Sequence, residues 1–320
     1  MNYRSVSNLC DQLVQWTHEL PRDLDLIVGV PRSGLLVANL LALYTNVPMS
    51  DVKGYLDGRI LSTGPRFKGR KIDLKREGLK VLVVDDSLRS GGQLSKVKQS
   101  LSELSRKHTI LYGAVYVRPG TQTMVDYACE LLDTPRVFEW NILHHDLLEE
   151  SCVDIDGVLC RDPSEMENDD GDRYRDFISS VPPFNLPSQP IGRLVTCRLE
   201  KYRDLTEAWL EKHGVVYKEL VMMDLPDAQA RRKARSHGSY KAEVYKRTRS
   251  RLFIESSITQ AIEISNASDM PVFCMDTRQM IYPGVEPGIS KAKLSSRVHW
   301  FLLNARRHLS QMIRKPGLAK

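Results

Sequence analysis

The chain reads as α/β throughout, as two doubly wound parallel-sheet domains in tandem, and three observations predict it. Short runs of consecutive apolar, often β-branched residues, such as Leu26-Ile27-Val28 and Val81-Leu82-Val83-Val84, each pass through a turn of small or polar residues into a helix-like stretch. That is the rhythm of buried parallel strands alternating with helices. The pattern then restarts with a fresh strand at Ser151. Finally, 320 residues are long for one ordinary domain and suit two cores of about 150 residues each.

Val6, Leu9, Leu13, Trp16 and Leu20 recur at three- and four-residue steps and predict an amphipathic helix closed by Pro21. Leu26 to Val30 is a strand, Pro31-Arg32-Ser33-Gly34 a tight turn, and Leu35 to Tyr44 the helix that follows. A second such unit begins at Val81. Its strand ends in Asp85 and Asp86 and runs through Ser87-Leu88-Arg89-Ser90-Gly91-Gly92-Gln93 into a helix. Strand, small-residue turn and helix gather backbone N–H groups and a positive helix end around one small volume, which suits a phosphate. Adjacent carboxylates repel by ~1 kcal/mol in water and by several times that in a drier site, so the pair asks for something cationic or hydroxylated between them. A sugar phosphate with Mg²⁺ answers both demands; a plain acidic strand end is the alternative. Ligands of such folds gather beyond the carboxyl ends of the strands, so the Arg32 and Asp85 turns should share one crevice. Thr109 to Val117 is a further core strand, and Val125 to Ala128 and Arg136 to Trp140 are short strands.

The run from Val81 to Gln93 closely resembles the 5-phosphoribosyl-1-pyrophosphate (PRPP) signature of type I phosphoribosyltransferases. Val30-Pro31-Arg32-Ser33-Gly34 is similar to the pyrophosphate loop of the same family. The resemblance implies that Asp85 and Asp86 hold the ribose hydroxyls. Ser87 then leads into Leu88, Arg89, Ser90, Gly91, Gly92 and Gln93, which wrap the 5-phosphate, while Arg32, Ser33 and Gly34 contact the pyrophosphate. Arg89 departs from the small hydroxyl residue common in the family and either adds a phosphate contact or narrows the loop. The polar stretch Asp57 to Lys80 carries four glycines (Gly58, Gly64, Gly69 and Gly78) and Arg59, Arg66, Lys68, Arg70 and Lys71. It matches the family's mobile loop, or is a solvated hairpin. Phe138 or Trp140 stacks on a nucleobase-like acceptor or belongs to the core.

In the second half, Cys152 to Leu159 predicts a strand whose alternation puts Asp154 and Asp156 on one side, so that two carboxylates converge. At a strand's carboxyl end one can attack phosphorus while the other protonates the leaving oxygen, with Mg²⁺ cancelling the charge. Asp154-Ile155-Asp156-Gly157-Val158 resembles the first motif of the haloacid dehalogenase (HAD) superfamily of phosphatases; taken alone, Asp154 to Gly157 also reads as a calcium-type or plain acidic turn. That likeness implies a phosphoryl-binding hydroxyl at Thr196, a phosphate-binding lysine at Lys241, with Lys246 as competitor, and a metal site of Asp154, Asp156 and Glu255. Ser256 and Ser257 stand where many members carry a further acid. The insert from Arg161 to Gly192 is acidic, then proline-rich, and reads as a small lid or ordered loop. Arg198, Lys201 and Arg203 follow Thr196 closely and either contact substrate or, for most of them, are solvated helix residues, since Leu205, Trp209 and Leu210 mark the buried face. His144 and His145 read as structural.

A formal charge of +6 and a pI near 8.9 fit anionic substrates and also nucleic acid. The six cysteines show no CxxC pair or zinc-like spacing and fit a reduced, cytoplasmic protein. No apolar stretch is long enough for a bilayer, so no membrane partner is expected. From Ser290 the chain has no acidic residue, and Val298, Phe301, Leu302, Leu309, Met312 and Ile313 share one helical face. A packing or homo-oligomer helix comes first there, and a nucleic-acid contact second. The expected organisation is therefore a Rossmann-like phosphoribosyltransferase domain (1–147), a HAD-like phosphatase domain (148–287) and a basic amphipathic helix (288–320). Its substrates are PRPP, a small-molecule acceptor and a phosphorylated metabolite, with Mg²⁺ as cofactor. The alternative is a regulator that senses PRPP or a nucleotide and binds nucleic acid through its tail.

Overall fold

The computed structural model describes residues 1–284 apart from 62, 65, 66, 70, 71 and 234–236. Arg66, Arg70 and Lys71 of the basic stretch and the helix expected at 288–320 lie outside the described residues. The chain divides into two compact units, Met1–Ile142 and the residues from Leu143 onward.

In the first unit the elements are β1 (Asn2–Arg4), α1 (Val6–Trp16), β2 (Leu26–Gly29), α2 (Gly34–Thr45), β3 (Met49–Asp51), α3 (Val52–Leu56), β4 (Lys80–Leu88), α4 (Gly92–Ser100), β5 (Thr109–Val117), β6 (Tyr127–Leu131) and β7 (Arg136–Phe138). Five strands form one parallel sheet in the order β3-β2-β4-β5-β6, and β1 pairs with β7 in a separate parallel pair. Strand alternation divides the apolar residues of β4 between two layers. Leu82 and Val84 join Leu9, Leu13 and Trp16 of α1 and Val37 and Leu41 of α2. Val81 and Val83 join Leu94 and Val97 of α4. With both faces covered, the strands can be continuously apolar, as parallel strands are. The chain leaves β2 for β3 on one side and returns to β4 on the other, so the crevice between β2 and β4 is the switch point where such sheets take ligands.

Two boundaries differ from expectation. Helix α1 stops at Trp16, well short of Pro21, in a run of turn hydrogen bonds that includes Glu19 N–H to Trp16 C=O. Strand β4 continues through both carboxylates to Leu88, because Ser87 and Leu88 still pair with Tyr116 and Val117 of β5.

The second unit contains β8 (Ser151–Val153), α5 (Asp172–Ser180), β9 (Ile191–Leu199), α6 (Arg203–Lys212), β10 (Tyr217–Met223), α7 (Ala228–Lys233), α8 (His237–Thr248), β11 (Leu252–Glu255), α9 (Ile258–Ser268), β12 (Val272–Cys274) and β13 (Gln279–Ile281). Its sheet has the order β10-β9-β8-β11-β12-β13, parallel except for β13. Successive strands step from β8 out to β10 and then resume at β11 on the other side, which makes the carboxyl end of β8 this sheet's switch point. The expected strand to Leu159 is cut short: β8 ends at Val153, and Ile155 to Cys160 form a turn with Gly157 at φ 79° and Leu159 N–H bonded to the Ile155 carbonyl. Within the insert, α5 is an ordered helix that buries Tyr174, Phe177 and Ile178. Among the described residues, no helix is long and apolar enough to cross a membrane.

Candidate functional sites

In the first unit the Pro31–Gly34 turn presses directly on β4 at Val84 and Asp85. A Cβ added to Gly34 would lie 2.7 Å from the Val84 carbonyl oxygen and 3.0 Å from Asp85 Oδ1, so only a glycine lets the turn approach this closely. The Pro31–Arg32 peptide is cis. Gln93 donates its side-chain N–H to the Pro31 carbonyl at 3.1 Å, which ties the second turn to the first. Asp85, Ser87 to Leu94, Gly113, Ala114 and Val125 line a cavity of about 230 Å³. Gly91 turns the chain into α4 at φ 81°, a conformation that favours glycine. The structure thus brings Gly34, Asp85 and the Arg89–Gln93 turn together; Arg32, Arg89 and Ser90 are exposed. Ser87 and Leu88 belong to the strand.

Asp85 and Asp86 are closely coupled. The backbone N–H of Asp86 donates to Asp85 Oδ1 at 2.9 Å. Burial, and then the neighbouring Asp86 charge, pushes the Asp85 carboxyl up to about 8. Asp86 Oδ2 accepts the indole N–H of Trp140 at 2.9 Å. Phe138 is buried in the core, stacked against Trp140 and Tyr116.

In the second unit Asp154 directly follows β8, held by its N–H to the Ile254 carbonyl, and Glu255 ends β11 beside it. Lys241 on α8 lies between them. Its ammonium donates to Asp154 Oδ2 at 2.6 Å, Glu255 Oε2 at 2.7 Å and Gln260 Oε1 at 2.9 Å. All three charged groups are buried, and burial pushes the Asp154 carboxyl up although Lys241 opposes it. Lys246 is exposed on the same helix.

Asp156 faces elsewhere. Both of its oxygens accept from Arg198, Oδ1 from Nη2 at 2.6 Å and Oδ2 from Nε at 3.0 Å. Arg198 is a buried residue of β9 and also reaches Thr206 and Cys160, so the expectation that it is a solvated helix residue is corrected. A buried guanidinium needs a carboxylate, and Asp156 supplies it. Lys201 and Arg203 do lie at the surface, paired with Asp170 and with Glu200 and Glu207. Thr196 is buried on the same strand, its hydroxyl accepting the Arg198 N–H at 3.2 Å. Thr196 and Arg198 are two apart on one strand and so share a face. That spacing was the available signal for Arg198. His145 caps the turn at Leu147, as a structural histidine would.

The three carboxylates expected to hold a metal do not form a ready site. Lys241 bridges Asp154 and Glu255, and Arg198 holds Asp156. Among the described residues no three His, Cys, Asp or Glu side chains are gathered for a metal ion.

Residues 2–146, a little under half of the chain, match the phosphoribosyl transferase domain family. An α/β domain of type I phosphoribosyltransferase kind therefore occupies the N-terminal part. Similar solved structures include a Helicobacter pylori xanthine-guanine-hypoxanthine phosphoribosyltransferase, at 17% identity and a TM-score of 0.33, covering 44% of this chain and 93% of that one. A purine phosphoribosyltransferase from Pyrococcus horikoshii is 26% identical with a TM-score of 0.33, covering 43% and 92%. An orotate phosphoribosyltransferase from Aeropyrum pernix is 21% identical with a TM-score of 0.28, covering 38% and 68%. No curated protein matches the chain.

Proposed function

We propose that the first domain transfers a 5-phosphoribosyl group from PRPP to a nucleobase-like acceptor. The observation that carries this reading is the Pro31–Gly34 turn seated on Val84 and Asp85 of β4, beside a small cavity lined by Asp85 and the Arg89–Gln93 turn. The backbone N–H groups of that turn take the 5-phosphate, and the two carboxylates take the ribose hydroxyls. The acceptor nitrogen forms a bond to the anomeric carbon as the bond to pyrophosphate breaks, the electron pair leaving with the pyrophosphate, which takes up the proton lost from that nitrogen. Mg²⁺, where bound, would be held by the Asp85 and Asp86 carboxyls and would neutralise charge on the leaving pyrophosphate. Calorimetry tests the reading: replacing Asp85 and Asp86 together by Asn should weaken PRPP binding at least tenfold, about 1.4 kcal/mol. Unchanged affinity in the double variant would sink the assignment.

The second domain, 148–287, is proposed as a HAD-type phosphatase. The Asp154–Lys241–Glu255 cluster at the switch point of its sheet supports this, together with Thr196 on the neighbouring strand. An Asp154 oxygen bonds to phosphorus as the leaving oxygen departs, and water then cleaves the aspartyl-phosphate. Asp156 is the acid and base of this reading, which requires it to leave its two-point pair with Arg198 and turn toward Asp154. Because a phosphoribosyl product is itself a phosphomonoester, we propose that the second domain consumes the product of the first.

A further inference from the structure

The structure assigns Trp140 a positioning role in the first site: its indole N–H fixes the Asp86 carboxylate in the orientation that takes the ribose hydroxyls of PRPP. This inference rests on the phosphoribosyltransferase reading of that site.

Trp140 is itself held on two sides. It follows β7, which pairs with β1, and the carboxylate of Glu139 beside it accepts the Val6 N–H at 2.8 Å. Its ring lies almost parallel to Phe138, with centroids 4.8 Å apart and planes 8° apart, and Phe138 rests in turn on Tyr116 at 5.0 Å. With one face packed on Phe138, the indole has little freedom to turn. Its N–H therefore points at Asp86 Oδ2 from a fixed direction, across 54 residues of sequence.

The receiving carboxylate is only 5% exposed. Water therefore does little to fix its orientation, and a donor to the carboxylate is stronger there than at the surface. The guanidinium of Arg136 contributes charge nearby but spends hydrogen bonds on the carbonyl oxygens of Tyr116 and Leu132. The indole N–H and the Asp85 carboxyl both contact this carboxylate, so its orientation is set by the protein before a ligand arrives. The buried Trp209, by contrast, gives its N–H to the backbone carbonyl of Val181. Trp140 instead spends its donor on a carboxylate of the candidate ligand site.

Calorimetric titration of the full chain with PRPP and Mg²⁺ tests the assignment. Trp140→Phe keeps an aromatic ring against Phe138 and deletes the donor, so PRPP should bind about tenfold more weakly with Tm changed by no more than a few degrees. In an Asp86→Asn background the same substitution should change affinity less than twofold, because the carboxylate it positions is already gone. Should the phenylalanine variant fail to fold, benzothienylalanine at position 140, with sulfur replacing the N–H at nearly constant shape, carries the same expectation. Equal losses in both backgrounds, or wild-type affinity in the single variant, overturn the positioning role alone. A wild-type chain that binds no PRPP overturns the phosphoribosyltransferase reading, and the positioning role with it.

Discussion

Gly34→Ala is the substitution that most sharply probes how the first site is assembled. The added methyl meets backbone rather than a flexible side chain: the Val84 carbonyl oxygen at 2.7 Å and the Asp85 Cα at 3.1 Å, with Asp85 Oδ1 at 3.0 Å. Ordinary contact begins near 3.4 Å, and a strand paired on both sides cannot yield, since Val84 bonds in register to Gly29 and Gly113. The Pro31–Gly34 turn must therefore retreat by a substantial fraction of an ångström. Overpacking of this kind costs about 1–3 kcal/mol of stability. A displacement of about 1 Å between groups that must act together can cost on the order of a hundredfold, so PRPP affinity should fall at least tenfold. Titration calorimetry reads the affinity, and a thermal melt at matched pH reads the stability. A variant with PRPP affinity within twofold of wild type would refute the claim that the turn and the β4 carboxylates form one site.

Three further substitutions follow from the charges. Asp85 is raised in the folded state from the usual value of 3.8 to about 8, so the native state holds the proton more tightly than the unfolded one and stability falls as pH rises from about 4 through about 8. Asp85→Asn should remove that decline and gain roughly a few degrees of Tm at pH 9 relative to pH 5; identical pH dependence in the two proteins rules it out. Lys241→Met leaves Asp154 and Glu255 buried without their shared cation, and denaturant unfolding of the second domain should show a loss of about 3–5 kcal/mol; a loss under 1 kcal/mol contradicts the cluster's energetic role. Asp154→Asn should abolish phosphomonoester hydrolysis while leaving PRPP affinity unchanged, and with PRPP and acceptor it should accumulate the riboside 5-phosphate that wild type dephosphorylates. Wild-type hydrolysis rates in that variant would mean Asp154 is not the nucleophile.

Where the sequence was legible, local physics sufficed. The β-branched run Val81–Val84 needs a buried strand wherever it sits, and the glycines at 91 and 92 mark the turn that follows it. What escaped was set by pairing between distant segments. That β4 extends to Leu88 depends on hydrogen bonds to β5 that no pattern within 85–88 reveals. Arg198 looked solvated because arginine usually is, and its burial becomes affordable only beside Asp156, 42 residues earlier. Trp140 reads from its surroundings as an acceptor platform or a core residue, and its hydrogen bond to Asp86, 54 residues earlier, is a long-range feature that no local pattern reveals. The turn after Val153 likewise overrode the apolar pattern of Ile155, Val158 and Leu159, which are buried there without belonging to a strand.

The most direct test of phosphoribosyl transfer is to incubate the full chain with PRPP, Mg²⁺ and a panel of purine and pyrimidine bases and follow products by mass spectrometry. One base should be consumed with stoichiometric release of pyrophosphate, giving a riboside 5-phosphate in the Asp154→Asn chain and the free riboside in wild type. PRPP that remains intact with every base, at protein concentrations that saturate its binding, would contradict phosphoribosyl transfer to a nucleobase.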